Sequence, residues 1–134
     1  MKYGVCNWIF GKENINTTLS RLVKYGYNGV ELIGEPKDYD IKVLRNSIKE
    51  RGLEVFNIGA KSSWRTKERD LANPDTLVRE KAINYYKRCI DLAYNMGSTF
   101  CGLIPSAVGR LAPLTTYNDE WDYAVEAAQK ILDY

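Results

Sequence analysis

Two polar residues stand inside short apolar runs, where a side chain capable of chemistry is easy to see. Glu31 lies between Val30 and Leu32, and Asn57 lies between Phe56 and Ile58. In an extended strand, alternation turns each to the face opposite its neighbours. A buried carboxylate needs a partner, because an unpaired charge is costly away from water. Glu31 therefore either lines the floor of a site and positions polar groups there, or ties its strand to a nearby lysine or backbone donor. Asn57 has the same two readings, and neither residue reads as a direct metal ligand. A second group, Asn7, Trp8 and Phe10, follows the first strand-like segment. Its aromatic rings either stack on a ligand or close the top of the core. A third is the run from Lys61 to Arg69, where Lys61, Arg65, Lys67 and Arg69 stand against Glu68 alone. It is either an anion-binding loop or a solvated surface. Trp64, in the same run, is either a lid or a loop anchor. Pro105, Ser106 and Arg110 follow the fourth strand-like segment without a defined role.

Composition removes several chemistries. The chain has no histidine, which excludes a Ser-His-Asp or Cys-His site within it. Cys6, Cys89 and Cys101 make an odd count with no Cys-x-x-Cys pair, so they are not spaced for zinc. They read as buried free thiols in a reducing cytoplasm. The net charge of +2, from 19 basic and 17 acidic residues, is too balanced for a nucleic-acid or membrane surface. No apolar run approaches the ~20 residues that span a bilayer. Met1-Lys2 leads directly into a strand-like segment, without the apolar core of a signal peptide. The expected location is the cytoplasm.

These residues need elements to hold them. With 134 residues, 45% hydrophobic and 27% charged, the expectation is one globular domain over residues 1–134. Gly26, Gly52 and Gly97 each close a helix-like run and precede a short apolar stretch. Helix, glycine, strand, repeated, is the signature of βα units and a parallel sheet. Residues 2–6 read as strand one, 30–33 as strand two, 55–58 as strand three and 100–104 as strand four. Ile15, Leu19, Leu22 and Val23 recur at helical spacing, giving helix one at about 15–25. Asp40 caps helix two, with Ile41, Leu44 and Ile48 inward. Asn73-Pro74 starts helix three, buried through Val78, Ala82, Tyr86, Ile90 and Ala93, to about Met96. Asn118 is a candidate cap for helix four, with Trp121, Val125, Ala128 and Leu132 as its inner face.

Four βα units in a row fit an open doubly wound sheet or part of a (βα)₈ barrel. Asn7-Trp8-Ile9-Phe10-Gly11 is not a glycine-rich phosphate loop, and Gly11-Lys12 lacks the rest of a P-loop. The barrel is preferred. A full barrel takes about 250 residues, so the expected fold is α/β, four consecutive βα units forming half of a (βα)₈ barrel.

Several stretches carry a family resemblance. Strand one opens Lys2-Tyr3-Gly4-Val5. Gly26-Tyr27-Asn28-Gly29-Val30-Glu31-Leu32 is similar to the Gly-aromatic-x-Gly-Val-Glu pattern of the sugar phosphate isomerase/epimerase superfamily, the xylose isomerase-like barrels. Ile58-Gly59-Ala60-Lys61-Ser62, and Leu71-Ala72-Asn73-Pro74-Asp75 with Arg79 one turn on, resemble its ketose 3-epimerases. The resemblance covers essentially the whole chain but only the N-terminal half of the family domain. It implies metal-assisted proton transfer beside a ketose carbonyl, with two carboxylates moving the proton. A divalent ion (manganese, cobalt or magnesium) is implied for a full-length member, held by residues on strands five to eight. No cofactor is expected in this chain. The substrate-facing residues implied are Asn7, Trp8, Phe10, Glu31, Asn57, Lys61 and Trp64. The partner expected is a sugar or sugar phosphate in the complete barrel, reached through a homodimer or a missing C-terminal half. A non-catalytic half-barrel that self-associates is the alternative. The superfamily's apurinic endonucleases fit less well, because they place metal-binding histidines in their first half.

Overall fold

The computed structural model describes residues 1–134. Its strands are β1 (Gly4–Cys6), β2 (Gly29–Ile33), β3 (Glu54–Gly59) and β4 (Cys101–Gly102). Its helices are α1 (Ile15–Lys24), α2 (Ile41–Glu50), α3 (Thr76–Met96) and α4 (Tyr117–Leu132). The strands form one parallel sheet in the order β1-β2-β3-β4. This is the expected run of four βα units, with β1 and β4 at the open edges.

The chain resolves into two compact units, residues 1–60 with 89–102, and residues 61–88 with 103–134. The first holds the whole sheet. Val30, Leu32 and Ile58 are fully buried on the face that α1 and α2 cover. Leu19 and Leu22 of α1 and Leu44 and Ile48 of α2 supply the matching apolar side. Gly26, Gly52 and Gly97 have φ of 76°, 65° and 71°, the left-handed caps that the repeat implies. In the second unit Leu71, Ala72, Tyr85, Tyr86, Ala107, Ala127 and Ile131 are buried.

Four expectations are corrected. Strand one starts at Gly4, not Lys2. Strand four is confined to Cys101–Gly102, because both backbone groups of Ile104 bond the buried Tyr86 hydroxyl (2.8 and 3.0 Å) instead of a neighbouring strand. Helix three begins two residues after Pro74: Asn73 accepts from the Asp75 N–H and Asp75 accepts from the Leu77 N–H, so two side-chain turns precede it. Helix four is capped by Thr116, whose hydroxyl accepts from the Asp119 N–H at 3.1 Å, and Asn118 lies inside the helix.

The inner face of helix four is also corrected. Its buried residues are Glu120, Ala127 and Ile131. Trp121, Val125 and Leu132 are 71%, 45% and 84% exposed. The inward edge of the helix is the one that carries Glu120 and its buried ion pair with Arg110. Val23 of α1 is likewise exposed.

Candidate functional site

The site builds from the strand ladder of the first unit. β1 pairs with β2 so that Cys6 stands beside Glu31, and β2 pairs with β3 so that Glu31 stands beside Asn57. The register shifts between Val30 and Glu31, leaving Phe56 as the extra residue of a bulge. Phe56 therefore shares the uncovered face with Asn57, and its ring lies across Gly4 and Gly29. A β-carbon at Gly29 would meet the Glu54 carbonyl as well as this ring, so glycine there is a packing requirement.

Side chains on the uncovered face follow one another in rows of register partners. Lys2 and Glu54 form an ion pair at 2.5 Å. Phe56 comes next, then Cys6, Glu31 and Asn57, and above them Gly59, whose missing side chain leaves room for the Glu31 carboxylate. Asn57 Nδ2 donates to Glu31 Oε2 at 3.1 Å. That bond fixes the amide orientation, since the reverse would set oxygen against oxygen. It leaves Asn57 Oδ1 buried with no hydrogen-bond partner. The Cys6 thiol is pushed up to about 12, by burial first; the Trp8 backbone pulls it down, and the Glu31 carboxylate adds to the rise. A recess of about 180 Å³ is lined by Lys2, Gly4, Val5, Cys6, Glu31 and Phe56.

At the end of β1 the chain turns through a single 3₁₀ turn, Asn7–Phe10. Asn7 Oδ1 accepts from the Ile33 N–H at 2.8 Å and its Nδ2 donates to the Tyr39 hydroxyl at 3.4 Å. It straps the ends of β1 and β2 together. Trp8 is 61% exposed, and Phe10 lies under the Arg21 guanidinium at 5.6 Å.

Lys61 and Trp64 belong to the second unit. The Lys61 N–H donates to the Tyr85 hydroxyl at 2.8 Å, and its carbonyl accepts from Arg69 at 3.1 Å. Arg69 also stacks over the Tyr85 ring at 4.3 Å. The Trp64 N–H donates to the Val108 carbonyl at 2.8 Å, and the Val108 N–H donates to Ser62 at 3.0 Å. Arg110 lies 5.9 Å from the Trp64 ring and grips Glu120 through both guanidinium nitrogens, one contact measuring 2.6 Å. Burial pushes the Glu120 carboxyl up, but the bonds from Arg110 and the Leu114 and Thr115 backbones outweigh it and hold it below its ordinary value.

The structure thus brings Glu31 and Asn57 together, adds Cys6 to them, and gives Asn7 a backbone role. Sequence reasoning missed Cys6 and Tyr39. Cys6 alternates with Gly4 on the uncovered face, but only the pairing register reveals that it meets Glu31. No group of three or more Cys, Asp or Glu side chains is placed to hold a metal ion. No helix is long and apolar enough to cross a membrane.

Solved structures place this arrangement among known folds. D-psicose 3-epimerase from Clostridium cellulolyticum H10, determined with D-tagatose, is similar at 18% identity and a TM-score of 0.84, over 99% of this chain and 48% of that one. D-allulose 3-epimerase from Methylomonas sp., in complex with D-allulose, is similar at 19% identity and a TM-score of 0.83, over 100% and 47%. A family 2 AP endonuclease from Brucella melitensis is similar at 15% identity and a TM-score of 0.74, over 99% and 50%. The chain spans about half the length of each. At these identities the likeness is one of fold, and the fold is shared by different chemistries. No curated protein matches significantly by sequence. The model for the xylose isomerase-like TIM barrel matches residues 19–134. That match takes in three of the four parallel strands and all of the helices except the first turn of α1, so the chain belongs to the xylose isomerase-like TIM-barrel family.

Proposed function

We propose that this chain supplies the N-terminal half of a sugar or sugar-phosphate isomerase/epimerase barrel, a single (βα)₄ half that contributes substrate-facing loops and not the metal. One observation carries the reading. Essentially all of the chain superposes on 47–48% of two ketose 3-epimerases, and its sheet ends at two unpaired edges, β1 and β4. The family reaction implied is proton transfer on the carbon beside a ketose carbonyl. Within the first unit Glu31 and Asn57 form the polar floor, with Asn7, Trp8 and Phe10 at the end of β1; Lys61 and Trp64 are proposed as substrate-facing by their place in the chain after β3. Aromatic rings there suit the apolar face of a sugar.

The divalent ion that such chemistry uses (manganese, cobalt or magnesium) polarises substrate oxygens when bound. The residues present do not fit it. Glu31 has Asn57 as its hydrogen-bond partner and belongs to no group of three or more Cys, Asp or Glu side chains placed to hold an ion. On this reading the chain alone is inactive, and the metal ligands and proton-moving carboxylates come from a second half. Three cysteines outside any disulfide suit a cytoplasmic location.

Calorimetry with manganese, and a ketose interconversion assay on D-fructose and D-tagatose, test this. The expected result is neither tight binding nor turnover by the chain alone. Manganese-dependent epimerisation by the isolated chain overturns it. A second reading, a non-catalytic homodimer that closes a barrel, is favoured by the same open edges and by the exposed apolar side of α4.

A further inference from the structure

We infer that the uncovered face of the sheet takes a partner half that presents a lysine or arginine opposite Glu31, and that a second copy of this chain does not fit there. The inference rests on the half-barrel reading and names the partner's chemistry. On that face the charges are Lys2, Glu54 and Glu31. Lys2 and Glu54 neutralise each other at 2.5 Å. Glu31 has a neutral amide as its hydrogen-bond partner, and the amide's own oxygen is buried without a donor. Closing a barrel over this face removes water from both groups. What is then missing is positive charge and N–H donors. Lysine and arginine supply both and bring no acceptor of their own.

A second copy brings the opposite. In a (βα)₈ barrel each interior layer is filled from alternate strands. Glu31 on β2 and its twofold mate would occupy the second and sixth strands, and so the same layer. Two carboxylates would share one dry layer with no cation between them, and two Asn57 oxygens would stay unpaired. Like charges in such a site oppose closure. The open edges and apolar surface favour association in general, and this layer selects which partner is accepted.

The test is a charge swap within the chain. Wild type and a Glu31→Lys variant are each measured alone and as an equimolar mixture by analytical ultracentrifugation at low salt, with backbone hydrogen exchange on β1 and β4. The mixture sets one lysine against one glutamate. It is expected to associate at least tenfold more tightly than either parent, with the edge amides protected only in the mixture. A mixture no tighter than its parents, or a wild-type dimer as tight as the mixture, overturns the inference. If Glu31→Lys does not fold, Glu31→Gln replaces it. Its self-association is expected to exceed that of wild type tenfold, and equal affinities overturn the inference. Association that leaves the β1 and β4 amides unprotected rejects the half-barrel reading itself. Protected edges with no dependence on residue 31 reject the charge argument alone.

Discussion

Arg110 shows how a loop cation becomes a structural residue. By sequence it follows the fourth strand-like segment without a defined role. In the structure its side chain and that of Glu120 are 7% and 9% exposed, and Glu120 also accepts from the Leu114 N–H at 2.5 Å. A buried fork of this kind is costly to break on one side, because the remaining charge is stranded. Arg110→Ala is expected to lower stability by about 3–5 kcal/mol, read by urea denaturation. The lowered Glu120 carboxyl sets a pH dependence. Its contribution is full above the ordinary 4.5 of a glutamate and is lost as pH falls through the lowered folded value. Urea titrations between pH 6 and the acid limit are expected to show this loss, and Glu120→Gln removes that component. Cys6 gives a second residue-level expectation. With its thiol pushed to about 12, the thiolate at pH 8 is roughly a thousandfold scarcer than for an ordinary cysteine. Iodoacetamide labelling followed by mass spectrometry should leave Cys6 unmodified until the chain is unfolded. Alternation alone identified the face of Glu31. It did not place Phe56 beside Asn57, because a bulge breaks the two-residue period and is set by pairing.

At the scale of elements, the punctuation residues were the most readable. Three glycines marked three helix ends, since positive φ is a local steric demand that glycine meets most easily. Caps were less readable. Thr115, Thr116 and Asn118 all precede or enter α4, and each residue type can cap. The fold selects Thr116 by giving it extended backbone, φ −86° and ψ 155°, with its hydroxyl on the Asp119 N–H. Thr116→Ala is expected to cost about 1 kcal/mol, while Asn118→Ala changes stability by less than about 0.5 kcal/mol. Thermal unfolding of the two variants separates them, and equal losses would contradict the assigned cap. Strand four shows the limit of reading a strand from apolar residues. Phe100 and Leu103 lie outside it, and the Tyr86 hydroxyl takes the backbone of Ile104.

For the whole molecule, α4 carries the largest consequence. Ala127 and Ile131 are buried, whereas Trp121 and Leu132 are exposed. A helix apolar around so wide an arc suits burial on more than one side. In the proposed complete barrel the second half supplies the other side. The double variant Trp121→Glu, Leu132→Glu is therefore expected to leave the chain's own unfolding midpoint within about 0.5 kcal/mol of wild type. It should also reduce light scattering from aggregates and abolish any assembly with a complementary half. A large loss of stability would mean that the stripe packs within the chain.

The sequence by itself determined the βα alternation, the parallel sheet, the three glycine-marked helix ends and the family, because each rests on local conformational demand or on a contiguous motif. It also set Glu31 and Asn57 apart from their neighbours, since period-two alternation is a property of one strand. Only the tertiary structure decided that Cys6 joins them, that one oxygen of Asn57 is left without a donor, and that α4 turns Glu120 inward in place of Trp121. Those outcomes depend on register and on which cation reaches which carboxylate across long separations in the chain. Hydrophobic periodicity records that a side chain wants burial, and the folded neighbours alone fix what it is buried against.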